Sequence, residues 1–253
     1  MTGQWKIGAL GALSGAAIAV VIVFGAALFG AFPRAPAAFD GRQVRAYLLK
    51  HPDILVDMSN ALQDQQAADE DKVQQDALRA IGLAAFFDPK VAFVTGPADA
   101  KATIVELFDY NCVHCRNTFP ALKKYYEAHK NDTRFAFVDF PIFGKMSDTA
   151  ALAAIAARRQ PGKYLAFSFG MMSQKTAITQ ELMMSVAASA GIDIAKLTAD
   201  MDLPEVKATL AKAQELGRKL KVTGTPTFIY NGRVRAGEVT DAQMKDIMAG
   251  KAT

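Results

Sequence analysis

The feature that most constrains the fold of this chain is a pair of cysteines, Cys112 and Cys115, placed between a strand-forming run and a helical segment. Residues 103–108 read Thr-Ile-Val-Glu-Leu-Phe, which is typical of a strand. Residues 112–130 have a helical composition and begin at the first cysteine. A helix N-terminus presents free N–H groups and the positive end of the backbone dipole, and both favour a thiolate over a thiol. The arrangement therefore predicts a reactive pair on an α/β fold.

The number of cysteines supports the same interpretation, because Cys112 and Cys115 are the only two in the chain. Domains that depend on disulfides for stability carry several pairs of cysteines spaced along the sequence. A chain of 253 residues can bury a sizeable core without disulfides. A bridge between residues so close in sequence also closes too small a loop to stabilise the fold through chain entropy. The pair is predicted to act in redox chemistry.

The two cysteines are expected to have different roles. The thiolate is the attacking species in disulfide exchange, so Cys112 at the helix start is the predicted nucleophile. Cys115, one helical turn on, would then resolve the mixed disulfide. His114 stands between them, and an imidazole beside the sulfur is expected to stabilise the thiolate by charge or hydrogen bonding. Stabilising the reduced form makes the disulfide a better oxidant.

Around this motif the sequence alternates strands and helices. A helical block over about 146–215, rich in Ala, Met, Leu, Lys and Gln, separates the early strands from a hairpin that Asn231-Gly232 predicts. Residues 240–250 are predicted to form a last helix. The predicted strands are residues 91–94, 103–108, 134–140, 227–230 and 233–237.

The N-terminal segment, residues 1–33, is predicted to be a signal-anchor that crosses a membrane. Residues 7–33 include no charged side chain and exceed the roughly 20 residues that a membrane-spanning helix needs. The apolar centre of a cleavable signal peptide is usually shorter, although Ala35-Pro36-Ala37 resembles a cleavage site and leaves a processed form open. Given the redox chemistry, the rest of the chain is expected in the periplasm, anchored to the inner membrane.

Residues 34–88 are predicted to form a linker followed by a helical extension. Prolines and alanines over 33–40 suit a linker. Pro52 is expected to open a second helix. The apolar residues of the extension recur at helical spacing and could pack on the main domain or on copies of themselves. They are Val44, Leu48, Leu55, Met58 and Leu62.

The charge pattern argues against a nucleic-acid partner. The formal net charge is +4, and the Lys and Arg residues are scattered without a dense basic run. No organic cofactor is indicated by any motif.

Two motifs resemble a known family. The segment Glu-Leu-Phe-Asp-Tyr-Asn-Cys-Val-His-Cys-Arg, residues 106–116, resembles the active-site segment of DsbA-like thiol–disulfide oxidoreductases of the thioredoxin superfamily. The segment Val-Thr-Gly-Thr-Pro-Thr-Phe-Ile-Tyr, residues 222–230, resembles the loop that carries a cis-proline in thioredoxin folds. Tyr-Leu-Leu-Lys-His-Pro-Asp-Ile-Leu at 47–55 resembles the N-terminal region of the ScsC-related subgroup, some members of which oligomerise through it.

The resemblance implies a thioredoxin-like domain over residues 89–253 with the helical block as its insertion. Pro226 would be cis, and the backbone of Thr225 would face the sulfurs and pair with an extended client peptide. Glu106 would be a buried acid that moves a proton to or from Cys115; otherwise it is an edge-strand residue that faces water. Val113 departs from the family, because strongly oxidising relatives have proline there and others glycine, so the direction of exchange stays open.

The predicted function is a periplasmic oxidoreductase that donates or shuffles disulfides in client proteins with cysteines, together with a membrane or periplasmic redox partner. A homo-oligomer formed through residues 41–87 would favour the isomerase activity. The alternative is a Cu(I)-binding module in which the two thiolates and His114 hold the ion. A redox-inactive scaffold is the third interpretation, and the intact pair Cys112 and Cys115 argues against it.

Overall fold

The computed structural model describes residues 40–249, which divide into two compact units, one up to residue 62 and one from residue 63 on. The predicted membrane segment, residues 1–33, lies outside the described residues. Within residues 40–249 no helix combines the length and the apolar character that a bilayer span requires.

The first unit consists, from residue 40 on, of α1 (Gly41–Lys50) and the beginning of α2 (Asp53–Ile81). Asp40 caps α1 by accepting a hydrogen bond from the backbone N–H of Arg42 at 3.0 Å, the usual role of aspartate at this position. Pro52 lies directly before α2, consistent with its predicted place at a helix entrance.

The apolar side chains of this unit are solvent-exposed. Between residues 40 and 62 every residue is exposed except Ile54, which is partly buried. Exposure reaches 75% at Leu55 and 62% at Met58. The predicted apolar row is therefore exposed among residues 40–249; its members are Val44, Leu48, Leu55, Met58 and Leu62.

The second unit is built on a five-stranded mixed sheet with the order β1-β3-β2-β4-β5. The central strand β2 pairs in parallel with β3 and antiparallel with β4. Each predicted strand is present. The strands are β1 (Phe93–Thr95), β2 (Ala102–Phe108), β3 (Thr133–Asp139), β4 (Thr227–Tyr230) and β5 (Arg233–Ala236).

The first strand begins later than predicted. Residues 91–94 were expected to be extended, but Val91 and Ala92 donate their N–H groups to the carbonyl oxygen of Asp88 at 2.8 and 3.0 Å. The Asp88 side chain also accepts from the N–H of Lys90. Aspartate favours this kind of local turn, and the strand can start only after it.

The helices follow the predicted order. After the 3₁₀ helix Leu83–Phe87, a long helix follows β2 and five helices form the insertion between β3 and β4, which extends beyond the predicted residue 215. The helices of the second unit beyond α2 are α3 (Val113–His129), α4 (Lys145–Ala157), α5 (Tyr164–Met172), α6 (Gln180–Ser189), α7 (Ile194–Met201), α8 (Pro204–Lys219) and α9 (Asp241–Met248).

Alternate residues of β2 belong to two different cores. Ile104 and Phe108 pack into the larger cluster, which includes both cysteines, whereas Val105 and Leu107 pack into the cluster on the other face. Because side chains alternate along a strand, Glu106 shares the face of Ile104 and Phe108. Its strand is central in the sheet and its residue is only 3% exposed, so the edge-strand interpretation of Glu106 is wrong.

The predicted hairpin joins β4 to β5. Asn231 and Gly232 have φ values of 47° and 82°, as a two-residue turn with two left-handed positions requires. The register pairs Tyr230 with Arg233. This hairpin holds β4, and the loop before it, against the central strand.

Candidate active site

The two cysteines lie where β2 gives way to α3. Cys112 is the N-cap of α3, with extended backbone angles, and Cys115 lies in the first turn. Both are free thiols, and their residues are 1% and 0% exposed. The local sequence folds this way because the apolar run of β2 ends at Phe108 and the helix begins after a short turn.

That turn is fixed by the buried carboxylate of Asp109. Its Oδ1 accepts from the N–H of Asn111 at 2.7 Å and from Ser147 Oγ at 2.8 Å. Its Oδ2 accepts from the N–H groups of Ile142 and Phe143 at 2.7 and 3.0 Å. One carboxylate therefore ties the residue before Cys112 to the loop between β3 and α4. The sequence reasoning missed Asp109, although an aspartate two residues before a turn N–H is a recognisable signal.

Cys112 is the acidic member of the pair, with its pKa lowered to about 5. The largest cause is the hydrogen bond that the Cys115 thiol donates to its sulfur. A hydrogen bond from the side chain of Thr225 and the backbone N–H groups of Cys115 and His114 add to the lowering, whereas burial opposes it. The N–H groups of the helix start thus contribute as expected, but the second cysteine contributes more.

The loop before β4 lies against this sulfur. Cys112 Sγ donates a hydrogen bond to the carbonyl oxygen of Thr225 at 3.0 Å, and the Thr225–Pro226 peptide bond is cis, as the resemblance implies. Thr225 is 7% exposed. A carbonyl at this distance can bond only the protonated sulfur, so this contact favours the thiol and is lost when the sulfur ionises.

Cys115 behaves in the opposite way. Burial raises its pKa well above the ordinary thiol value, and donation of its proton to Cys112 and the nearby charge of Glu106 act in the same direction. The pair therefore holds one thiolate and one thiol at neutral pH, which is the state that a nucleophile and its resolving partner require.

Glu106 lies beneath the pair on the central strand. Burial raises its pKa to about 8, with further contributions from the charges of Cys112 and Asp139. Its Oε1 atom accepts no hydrogen bond from the described residues, and the hydroxyl of Tyr230, whose pKa the charge of Glu106 helps to raise, has no hydrogen-bond partner among them either. A carboxyl group that titrates near neutral pH can both give and take a proton.

Asp139, whose charge helps to raise the pKa of Glu106, is part of a buried polar cluster. Asp139 accepts from Tyr110 at 2.9 Å and from Arg158 at 2.5 Å. Tyr110 is also within hydrogen-bonding distance, 2.9 Å, of Ser168. These residues join the end of β3 to the helical insertion. No local motif marks such a cluster, because its members are far apart in sequence.

His114 lies at the site, and its ring interacts with the charge of Cys112 while its hydrogen bond goes to a carboxylate. The side chain is 60% exposed, and its Nδ1 is 2.5 Å from Oε1 of Glu238. This hydrogen bond is the first cause that raises the pKa of His114, and the charge of Cys112 is a smaller one. The sulfur receives the backbone N–H of His114 instead. Glu238 was missed by the sequence reasoning.

The described residues hold no group of three or more His, Cys, Asp or Glu side chains that could share a metal ion. Of the donors in the Cu(I) alternative, Nδ1 of His114 is engaged with Glu238, which leaves the two sulfurs and Nε2 of that ring.

Comparison with known proteins agrees with this geometry. The family model described as Thioredoxin matches residues 88–249, and the one described as the N-terminal domain of the copper resistance protein ScsC matches residues 41–69. A probable disulfide bond formation protein D from Bacillus anthracis is 31% identical over 151 residues, which cover 55% of this chain and 69% of the relative.

Two solved structures are similar over more of the chain. A thioredoxin-like oxidoreductase from Silicibacter pomeroyi DSS-3 is 35% identical, with a TM-score of 0.61, and the match covers 68% of this chain and 99% of that one. A linker-deletion mutant of Proteus mirabilis ScsC is 28% identical, with a TM-score of 0.62, and the match covers 87% of this chain and 97% of that one. This chain therefore belongs to the thioredoxin family and is a DsbA-like, ScsC-related thiol–disulfide oxidoreductase.

Proposed function

We propose that this protein exchanges disulfides with client proteins in the periplasm through Cys112 and Cys115. The observation that carries the proposal is the opposite acidity of the two sulfurs: the pKa of Cys112 is lowered to about 5 while that of Cys115 is raised. Such a pair holds a nucleophile and a protected resolving thiol side by side.

In the oxidising direction, a client thiolate attacks Cys112 Sγ of the Cys112–Cys115 disulfide. An S–S bond forms between client and enzyme, and Cys115 leaves with the electron pair and takes up a proton. A second client thiolate then attacks the client sulfur, so that the client leaves oxidised and Cys112 leaves as a thiolate. The redox partner reoxidises the enzyme, and shuffling uses the same mixed disulfide without net oxidation.

Glu106 is the proton donor and acceptor for Cys115 in this scheme. It lies beneath the cysteines on the same face of the sheet, and its pKa of about 8 allows it to deliver a proton when Cys115 leaves and to remove one when Cys115 attacks. Tyr230 borders the same buried space, but burial raises the pKa of its hydroxyl, which therefore does not exchange protons near neutral pH.

Client binding is assigned to the backbone of Thr225 and to the apolar side chains beside the pair. When Cys112 is a thiolate, the carbonyl of Thr225 is released from the sulfur and can accept an N–H from an extended client. Val113 is 52% exposed and Phe143 is 56% exposed. Asp109 fixes the loop of Phe143 to the residue before Cys112, so these apolar side chains are held on one rigid frame.

The N-terminal part is proposed to place and assemble the enzyme. Residues 1–33 are the proposed inner-membrane anchor, residues 34–88 the linker and helical extension, and residues 89–253 the redox domain. Alkaline extraction of membranes tests the anchor: a full chain that stays in the pellet supports it, and a chain released with the soluble fraction contradicts it.

A second copy of this chain is the proposed cover for the apolar row of α1 and α2. Residues 41–69 match the N-terminal domain of ScsC, and Leu55 and Met58 are among the most exposed apolar side chains. Light scattering of the full chain in detergent should give an oligomeric mass that Leu55→Ser with Met58→Ser reduces to the monomer. A monomeric parent chain contradicts this assembly.

The exchange activity itself is tested by incubating the oxidised full chain with a reduced client and, separately, with scrambled ribonuclease. Formation of client disulfides supports oxidation, and recovery of ribonuclease activity supports shuffling. If neither client changes its disulfides, the proposed function is wrong.

A further inference from the structure

The side chain of His114 is bound by a carboxylate that lies far away in the sequence. Glu238, in the segment between β5 and α9, contacts Nδ1 of His114 through Oε1 at 2.5 Å. The same oxygen accepts a hydrogen bond from Asn117 Nδ2 at 3.1 Å. Glu238 is thus the polar group hydrogen-bonded to the ring, and Cys112 is the other charged group whose field it feels.

The position of Glu238 does not depend on its contact with His114. The next residue, Val239, is 2% exposed and donates its N–H to the hydroxyl of Thr118 at 3.2 Å. The segment is therefore attached to α3 directly after Glu238, through Val239 and Thr118, and the carboxylate is presented to the ring by the fold.

The contact occupies Nδ1 of the imidazole with a carboxylate. The groups that stabilise the Cys112 thiolate by hydrogen bonds are the thiol of Cys115, the side chain of Thr225, and the backbone N–H groups of Cys115 and His114. The His114 ring is not one of these hydrogen-bond partners. A protonated imidazole that is free to turn to the sulfur would stabilise the thiolate further, whereas one paired with a carboxylate adds little net charge.

We propose that Glu238 is a positioning residue that limits the oxidising power of the Cys112–Cys115 disulfide by holding the His114 imidazole away from Cys112. This inference rests on the proposed function and refines the direction of exchange. With Glu238 in place the pair is a milder oxidant than its Cys-Val-His-Cys sequence alone would make it, which suits an enzyme that shuffles as well as donates disulfides.

The test is the equilibrium of the full chain with glutathione at pH 6, where an unpaired imidazole is largely protonated. In this reaction the reduced pair and glutathione disulfide give the Cys112–Cys115 disulfide and two molecules of glutathione. Glu238→Gln removes the charge but keeps the size of the side chain. We expect its equilibrium constant to fall about threefold, the effect of one exposed charge pair, and the thiolate absorbance of Cys112 to titrate at a lower pH.

Two further variants separate positioning from a general charge effect. Asp241→Asn removes a nearby negative charge that does not contact His114, and it should change the equilibrium less than Glu238→Gln does. In the His114→Gln background, Glu238→Gln should have no greater effect than Asp241→Asn. The imidazole resonances should titrate near the ordinary histidine value in Glu238→Gln and higher in the parent protein.

Equal effects of Glu238→Gln and Asp241→Asn would overturn the proposal, as would an unchanged or increased equilibrium constant in Glu238→Gln. A full effect that persists without His114 would also overturn it. In each of these outcomes the parent enzyme still exchanges disulfides, so only the role of Glu238 is contradicted. A parent chain that exchanges no disulfides would contradict the proposed function itself.

Discussion

The site has a mouth and a floor whose chemistry differs although both contain a cysteine. The mouth, formed by Cys112 and Thr225, carries a thiol whose pKa is lowered to about 5 by hydrogen-bond donors. The floor, formed by Cys115, Glu106 and Tyr230, carries groups whose pKa values are all raised, with burial as the first cause. Only two residues separate the cysteines in the sequence, so hydrogen-bond donors and desolvation, and not residue type, decide which sulfur ionises.

This difference also divides the work between the two regions. The mouth provides a charged nucleophile and a backbone carbonyl for an extended client. The floor keeps a proton available, since Glu106 and Cys115 both favour their neutral forms at pH 7. Exchange requires both, and the Cys115 thiol couples them, because its hydrogen bond is the largest cause of the lowered pKa of Cys112.

The largest effect is expected from removing the sulfur at the mouth. Cys112→Ala should abolish exchange with a reduced client, because the remaining sulfur stays protonated at neutral pH. Cys115→Ala, the matched control at the floor, should still attack a client disulfide and should accumulate a mixed disulfide, which non-reducing electrophoresis detects. Turnover equal to that of the parent protein in either variant would contradict the assignment of the two roles.

Altering the floor alone should slow the reaction without abolishing it. Glu106→Gln keeps the shape of the side chain but cannot transfer the proton, and general acid–base catalysis typically contributes about 100-fold or more. We expect the release of the mixed disulfide to slow by about that factor in stopped-flow measurements. The control is Tyr230→Phe, which removes a hydroxyl from the same buried space. Its rate of mixed-disulfide release should stay within about threefold of the parent rate. A slowing as large as that of Glu106→Gln would show that general disruption of the site, and not proton transfer, causes the effect.

The raised pKa of Glu106 also predicts how stability depends on pH. Its pKa is about 8 in the folded protein and 4.5 in the unfolded chain, so between these values the folded state holds the proton more tightly. The stability it contributes is present below about pH 4.5 and declines as the pH rises toward 8, by up to ~1.4 kcal/mol per pH unit.

Urea unfolding of the reduced protein and of Glu106→Gln at pH 5 and pH 8 isolates this contribution. The free energy of unfolding of the parent relative to the variant should fall by a few kcal/mol between the two pH values. A difference that is constant with pH would mean that Glu106 is already ionised at pH 5.

The smallest effect is expected at the junction between the mouth and its surroundings. Asp109→Asn replaces a carboxylate that accepts four hydrogen bonds, from Asn111, Ser147, Ile142 and Phe143, by an amide whose nitrogen cannot accept. We expect a loss of about 1–3 kcal/mol in the free energy of unfolding. Thermal unfolding measures it, and an unchanged midpoint would show that the turn before Cys112 is held by other contacts.

The sequence predicts what depends on local pattern and leaves out what depends on distant contacts. The strands, the Asn231-Gly232 hairpin and the helix start at Cys112 follow from spacing and turn chemistry, and the structure has them. The partner of His114 could not be predicted, because Glu238 lies 124 residues away. The early start assigned to β1 was wrong for a local reason, since the turn at Asp88 was not recognised.

The burial of Glu106 depends on both local pattern and distant contacts, so the sequence predicts it only in part. Its place within an apolar strand indicated the inner face, but only the sheet order, with β2 central, makes that face dry enough to raise its pKa to about 8. The neighbouring charge of Asp139 comes from the parallel strand β3, which no spacing along the chain indicates.

The opposite acidity of the two sulfurs is measured by titrating the thiolate absorbance of the reduced full chain between pH 3 and pH 10, with the double variant Cys112→Ala, Cys115→Ala as the blank. The account predicts one transition near pH 5, from Cys112, and no second thiolate below pH 9. A single transition near the free-cysteine value of about 8.5, or two transitions of equal acidity, would contradict it.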